Sequence, residues 1–332
     1  MSNDNAAVYA ELSQDLVAMV ELTDDGDQKK YNSADRMFSK RSGYAADIKP
    51  NGVATGLLVT PGAANDTVAV SSGTCYLSGV LTEVDADSAV SVVRPESSNY
   101  QQFAVTVTSA GEIAVVDGAE HTAFSDTWGA DGGPPLIPTD SILLAVVKYS
   151  SQTAGIVLVS EIKSTANSYR EPYNFPTWSV RAFEVENGAL GYAGIDFDAA
   201  LLACHTGDVP KEVYAEYYTP EMSKLAETTD FVPPETSHSV SSTQIYGKTK
   251  GASSSSLGQG SFTAYFEDGI SDSIVGLKNE SLFFKFYQDE LVTSKYILCQ
   301  GKLGLSRSFS PTEDPMASCT ISATDEAVEV TA

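Results

Sequence analysis

The residues able to do acid–base, nucleophilic or metal chemistry are few and scattered along this chain. The three histidines, His121, His205 and His238, have no partner at a metal-ligand spacing, and each reads as an ordinary loop or strand residue. Asp85-Ala86-Asp87 and Asp196-Phe197-Asp198 are DxD pairs. Alternate positions of a strand bring two carboxylates to one face, where they can hold a metal or act as an acid/base couple. At strand ends such pairs are ordinarily solvated turns. Thr23-Asp24-Asp25-Gly26-Asp27 suggests a calcium loop but lacks the EF-hand spacing and its late Glu, so it reads as a solvated turn. No nucleophile elbow, phosphate-binding loop, dinucleotide fingerprint or HExxH occurs. The sequence therefore predicts no catalytic residue, no cofactor and no metal, and a protein that is not an enzyme.

Cys75, Cys204, Cys299 and Cys319 show no CxxC spacing and read as free thiols of a protein made in a reducing cytosol. Pairing about the turn Ser310–Pro315 would set Cys319 opposite Arg307, so a Cys299–Cys319 bridge would need another register. The net charge of −24, from 44 acids against 20 bases, excludes ordinary nucleic-acid binding, which requires basic groups to neutralise phosphate. No apolar run approaches a membrane span, and the first residues carry no export-signal pattern.

The 332 residues call for more than one domain, and the overall expectation is a mainly β protein. Residues 1–50 read as an N-terminal arm whose Val8, Leu12, Leu16, Met19 and Val20 fit an amphipathic helix with Asp4 or Asn5 as cap. Its basic cluster (Lys29, Lys30, Arg36, Lys40, Arg41) suits docking on an acidic neighbour. Residues 51–165 read as an accessory β-sandwich or small barrel. Short strand candidates run from Leu57–Thr60 through Ser141–Tyr149 to Gly155–Ile162, separated by Gly, Pro and Asn/Asp turns. Within it Asp117–Pro138 is a long loop carrying His121, Phe124 and Trp128, the predicted interaction loop. Residues 166–204 read as an aromatic, Pro-rich connector of packed extended chain, with Asp196–Cys204 as a short helix.

Residues 205–332 form the last unit. Glu212–Tyr218 and Thr236–Tyr246 read as strands, and Lys248–Gly260 as a flexible Ser/Gly loop. Ser261–Phe266 and Leu282–Tyr287 flank an amphipathic helix whose Ile270, Ile274 and Leu277 form a stripe that crosses an open end of the sheet. A long hairpin follows. Ile297, Cys299, Gly301, Leu303, Leu305 and Phe309 share one face with Ala317, Cys319, Ile321 and Ala323. Gln300, Lys302, Ser306, Ser308, Ser318 and Thr320 form the other, the predicted lumen-facing or assembly surface.

Two resemblances rest on these segments. The strings Gly56-Leu57-Leu58-Val59-Thr60-Pro61-Gly62, Asn65-Asp66-Thr67-Val68, Gly73–Val80, Pro134–Pro138 and Ser141–Ala145 are similar to β modules of baseplate and tail-fibre proteins of tailed bacteriophages. Residues 205–332 resemble phage tail-tube proteins in the order strand, short helix, strand, long hairpin. That resemblance implies a β-sandwich with one flanking helix, built into hexameric rings around a lumen. It implies a virion protein, assembled in the bacterial host cytoplasm, whose partners are its own copies and other tail proteins. The genome would slide past an acidic wall without specific binding, and no membrane is involved. The alternatives are a baseplate or fibre-attachment adaptor built on the accessory unit, and a carbohydrate-binding or glycan-hydrolysing protein that uses the aromatics of Asp117–Pro138.

Overall fold

The computed structural model describes residues 5–95, 99–149, 152–246 and 248–331. The protein is nearly all β, in antiparallel sheets. The largest sheet runs, edge to edge, through Glu227–Val232, Gly260–Tyr265, Met316–Ala323, Tyr296–Ser308, Ser281–Tyr287, Ala7–Glu21, Val213–Lys224 and Asp47–Pro50, and Val328–Val330 pairs with Tyr296–Ser308.

The first surprise is Ala7–Glu21. It is a 15-residue strand, not the expected amphipathic helix, and it lies between Ser281–Tyr287 and Val213–Lys224. Asp4, offered as a helix cap, lies outside the described residues. The helical spacing misled because the strand is irregular. Shifts at Glu11/Ser13 and Val17/Val20 break strict alternation, and a bulge re-aims the side chains that follow it. At the first shift the ladder to Ser281–Tyr287 ends with Ala10 opposite Phe284. The fully buried Glu11 carboxylate then takes the place of a backbone carbonyl. It accepts the Phe283 N–H at 3.2 Å, the Gln14 amide at 2.9 Å and the Ser39 hydroxyl.

The sheet curls. Phe231 on the far edge strand stacks on Phe286 with ring centroids 4.7 Å apart, and the Leu225 N–H donates to the Val8 carbonyl at 2.9 Å. The concave side encloses Val8, Ala10, Phe262, Phe284, Cys299, Leu303, Cys319 and Ile321. The expected helix at this open end shrinks to a single 3₁₀ turn, Ser273–Leu277. Ile274 and Leu277 enter the core as the stripe requires, but Ile270 is exposed. In the terminal hairpin Cys319 faces Leu305, and Arg307 faces Ala317, two residues from the expected register. Arg307 instead donates to the Gly269 carbonyl at 2.7 Å. All four cysteines are free and buried.

A second core lies on the other face of the same sheet, where Tyr217, Ala215, Val213, Phe283 and Leu298 meet Tyr31, Phe38, Ile195 and Phe197. The residues read as a connector supply part of this layer as strands Trp178–Arg181 and Gly194–Phe197. The short helix expected over Asp196–Cys204 is absent: the segment begins in the second of these strands and continues without regular structure. Phe197 must alternate into the core beside Tyr31 and Trp178, which fixes an extended backbone.

The third core belongs to residues 53–162, where Leu57, Val68, Cys75, Phe103, Val105, Ile142, Leu144 and Val147 pack between small sheets. Gly155–Ile162 is not a strand; only Ile162–Lys163 pairs, after a 3₁₀ turn at Val159–Glu161. Glu161 explains the departure. Its buried carboxylate lies 3.6 Å from Arg94, which also pairs with Asp66 at 2.8 Å and lies 3.7 Å from the Tyr149 ring centroid.

Replacing Glu11 strands several buried donors at once, and each unsatisfied group costs about 1–3 kcal/mol. Glu11→Ala is expected to lower unfolding free energy by on the order of 3 kcal/mol in urea titrations, whereas Ser13→Ala, on the exposed stretch, should change it by less than about 0.5 kcal/mol.

Candidate assembly surface

Three neighbouring strands, Gly260–Tyr265, Met316–Ala323 and Tyr296–Ser308, build a surface of unusual composition. In register, Ser306 faces Ser318, Gly304 faces Thr320 and Lys302 faces Ser322, while Thr263 and Ser261 flank Ser318 and Thr320 on the next strand. Period-two alternation puts Gln300, Lys302, Ser306, Ser308, Ser318 and Thr320 together on the convex side, opposite the core. Lys302, Ser306, Ser308 and Ser318 are exposed; Gln300 and Thr320 are half-buried, and Gln300 donates to the Ser281 hydroxyl at 2.5 Å. The three strands contain no acid, in a chain where 44 of 332 residues are acidic. Their only charges are Lys302 and Arg307, and among the described residues no carboxylate lies within ion-pair distance of Lys302.

Beside this face stands a second feature. Thr236–Ile245 and Lys248–Leu257 form a two-stranded hairpin paired residue for residue from Thr236↔Leu257 to Ile245↔Lys248. The segment expected to be a flexible loop is thus its return strand. Serine-rich composition suggested a linker, but the hydroxyls supply cross-strand contacts, Ser239 to Ser254 at 2.7 Å and Ser237 to Ser256 at 3.2 Å. Neither strand joins another sheet, and side chains on both faces are exposed: His238 and Ser239, Val240 at 81%, and Tyr246 at the turn. An isolated hairpin is marginal in water, and its open edges are templates for another chain.

The predicted interaction loop is arranged differently. His121 is exposed and bridges by backbone to Tyr100. Phe124 packs on Tyr100 at 4.7 Å, under the Lys148 ammonium at 4.9 Å. Trp128 packs separately against Ala104, Ile137, Leu143, Val146 and Cys204. Buried Gln102 pins the loop by donating to the Ser125 and Gly132 carbonyls at 2.7 and 2.9 Å. The three residues do not converge on one pocket.

The carboxylate patterns also resolve. Asp24 accepts the Gln28 N–H and Asp27 those of Lys29 and Lys30, which closes the acidic turn on itself; the Lys30 bond foremost, with that of Lys29, holds the Asp27 carboxyl below its usual range. Asp198 accepts the Thr177 hydroxyl. A grouping that sequence spacing missed is Glu171, Cys204 and His205, all buried. The adjacency of Cys204 and His205 was the one available signal, and Glu171 joins them only through the fold. No known protein-family profile matches the chain, and no curated protein sequence is significantly similar to it.

Gln102→Ala leaves the loop without either bond and the Ser125 carbonyl without a donor, while the Gly132 carbonyl keeps the Ser125 N–H. It should cost about 1–3 kcal/mol and raise amide exchange across residues 119–133, read by hydrogen–deuterium exchange mass spectrometry.

Proposed function

We propose that this chain is a structural subunit of a bacteriophage tail, tube-forming or tube-associated, that builds by self-association into rings, hexameric in the reading its resemblance implies. The observation that carries the reading is the pairing of an unsupported hairpin with an acid-free, hydroxyl-rich sheet face. A surface of net charge −24 keeps free subunits apart, and only a neutral zone lets two copies approach without like-charge cost. The hairpin supplies open backbone edges for strand addition to a neighbour, and ring closure multiplies weak contacts. Other tail proteins would cap the rings. The genome would pass through the lumen repelled by carboxylates elsewhere on the chain; the Ser/Thr face, with Lys302 its only outward charge, suits subunit contact better than an acidic channel wall.

A second reading is a baseplate or fibre-attachment adaptor. Residues 53–162 favour it, because they carry a separate core and are more than ring formation requires.

The test is the oligomer formed by purified protein, read by mass photometry and negative-stain microscopy. Rings or stacked rings are expected for the wild type. The double substitution Ser306→Glu, Ser318→Glu places two carboxylates opposite each other on the outer face, and like charges there cost the fold less than about 1 kcal/mol. It should weaken association at least about tenfold with little change in melting temperature. A short turn in place of 237–256 should do the same. Wild-type protein that stays monomeric at high concentration would defeat the proposal, and discrete small rings that never stack would favour the adaptor.

A further inference from the structure

Glu171, Cys204 and His205 hold one ligand atom each within 4.8 Å of one another, and all three side chains are buried. They come from different places. Glu171 docks on the end of the Ile142–Lys148 strand: its N–H donates to the Leu143 carbonyl at 3.0 Å, and its Oε2 accepts the Leu143 N–H at 2.8 Å. Cys204 and His205 lie where the chain runs beside Ile137, with the Ile137 N–H on the Cys204 carbonyl at 2.9 Å.

Three details fit a cation held by these side chains. The Glu171 Oε1 is buried and has no hydrogen-bond partner. A buried carboxylate oxygen left in that state is costly. His205 Nε2 lies 3.1 Å from the Ser141 carbonyl, an acceptor only, so Nε2 carries the hydrogen and Nδ1 keeps its lone pair. That Nδ1 sits 3.9 Å from the Cys204 Sγ. A carbonyl holding the far nitrogen of an imidazole is the usual support of a metal-bound histidine. Two ligands of a tetrahedral zinc ion, at about 2.3 Å for sulfur and about 2.0 Å for nitrogen, stand roughly 3.5 Å apart. Ligand atoms up to 4.8 Å apart would therefore draw together by up to about 1.3 Å.

We propose that Glu171, Cys204 and His205 form a site for a borderline divalent cation, zinc by preference, that ties Glu171, docked on the strand Ile142–Lys148, to the chain at Cys204 and His205. Thiolate, imidazole and carboxylate together match zinc rather than calcium or magnesium, which take oxygen. Binding requires the Cys204 thiol to release its proton to solvent. Because the thiolate and not the thiol is the ligand, binding strengthens as pH rises. Lys211 is the opposing group. Burial lowers its ammonium to about 8 against the pull of Glu171, and its Nζ donates to the Pro172 and Phe175 carbonyls at 2.6 and 3.2 Å. Glu171 Oε2 accepts the Leu143 N–H and lies 3.6 Å from His205 Nε2, so Oε1 is the oxygen left to bind a cation.

The experiment uses the full chain, stripped with chelator and titrated with Co²⁺ as a spectroscopic probe, both native and refolded with the ion so that slow entry does not mask binding. One equivalent per chain is expected, with a thiolate-to-cobalt charge-transfer band and tetrahedral d–d absorption, displaced by Zn²⁺. Cys204→Ser should abolish the band, and Glu171→Gln, which keeps the side-chain volume, should weaken binding more than about 100-fold. Cys319→Ser, in a different core, should bind as the wild type does. Absence of the band in native and refolded protein, or a band that survives Cys204→Ser, overturns the proposal. The outcome is independent of whether the protein forms rings.

Discussion

The structure depends on the strand Ala7–Glu21 being held between two strands that follow it by some two hundred residues or more. It hydrogen-bonds Val213–Lys224 on one side and Ser281–Tyr287 on the other, so without it the largest sheet separates into two pieces. Both cores of this sheet rest on that continuity, since Val8 and Ala10 face one and Val17 packs against the other. The two cores lie on opposite faces of the sheet, so alternate side chains of this strand reach both, and the bulges at Glu11/Ser13 and Val17/Val20 re-aim those that follow them. The buried Glu11 carboxylate follows from that change, because a shifted ladder frees a backbone donor that needs an acceptor.

What the sequence revealed and concealed follows from range. The terminal hairpin was legible because its faces alternate over many residues with little irregularity, and only its register was two residues off. The short strands of residues 53–162 were legible from their turns. Ala7–Glu21 was not, because two bulges make a strand's apolar positions imitate a helical stripe. Gly155–Ile162 was misread because its apolar content hid the role of Glu161, which turns inward to Arg94. Lys248–Leu257 was concealed by composition, since serine-rich chain reads as linker until a second strand of the same kind lies opposite it.

The candidate surface was legible as a face and its neighbour was not. Period-two alternation alone collects Gln300, Lys302, Ser306, Ser308, Ser318 and Thr320. The chain carries its carboxylates elsewhere, and the strands of this face and of the hairpin share their absence. The buried trio of Glu171, Cys204 and His205 had almost no linear signature, because a side chain that docks on a distant strand end leaves no periodic trace.

The placement of Ala7–Glu21 also sets an order of events during synthesis. The segment leaves the ribosome long before either of its neighbours is made. Until Ser281–Tyr287 emerges, one edge of this strand and the apolar side chains of Val8 and Ala10 stay uncovered, a state that chaperones bind and proteases cut. Chains broken off before that point cannot close the curled sheet or present the hydroxyl-rich face, so the topology itself acts as a check on length.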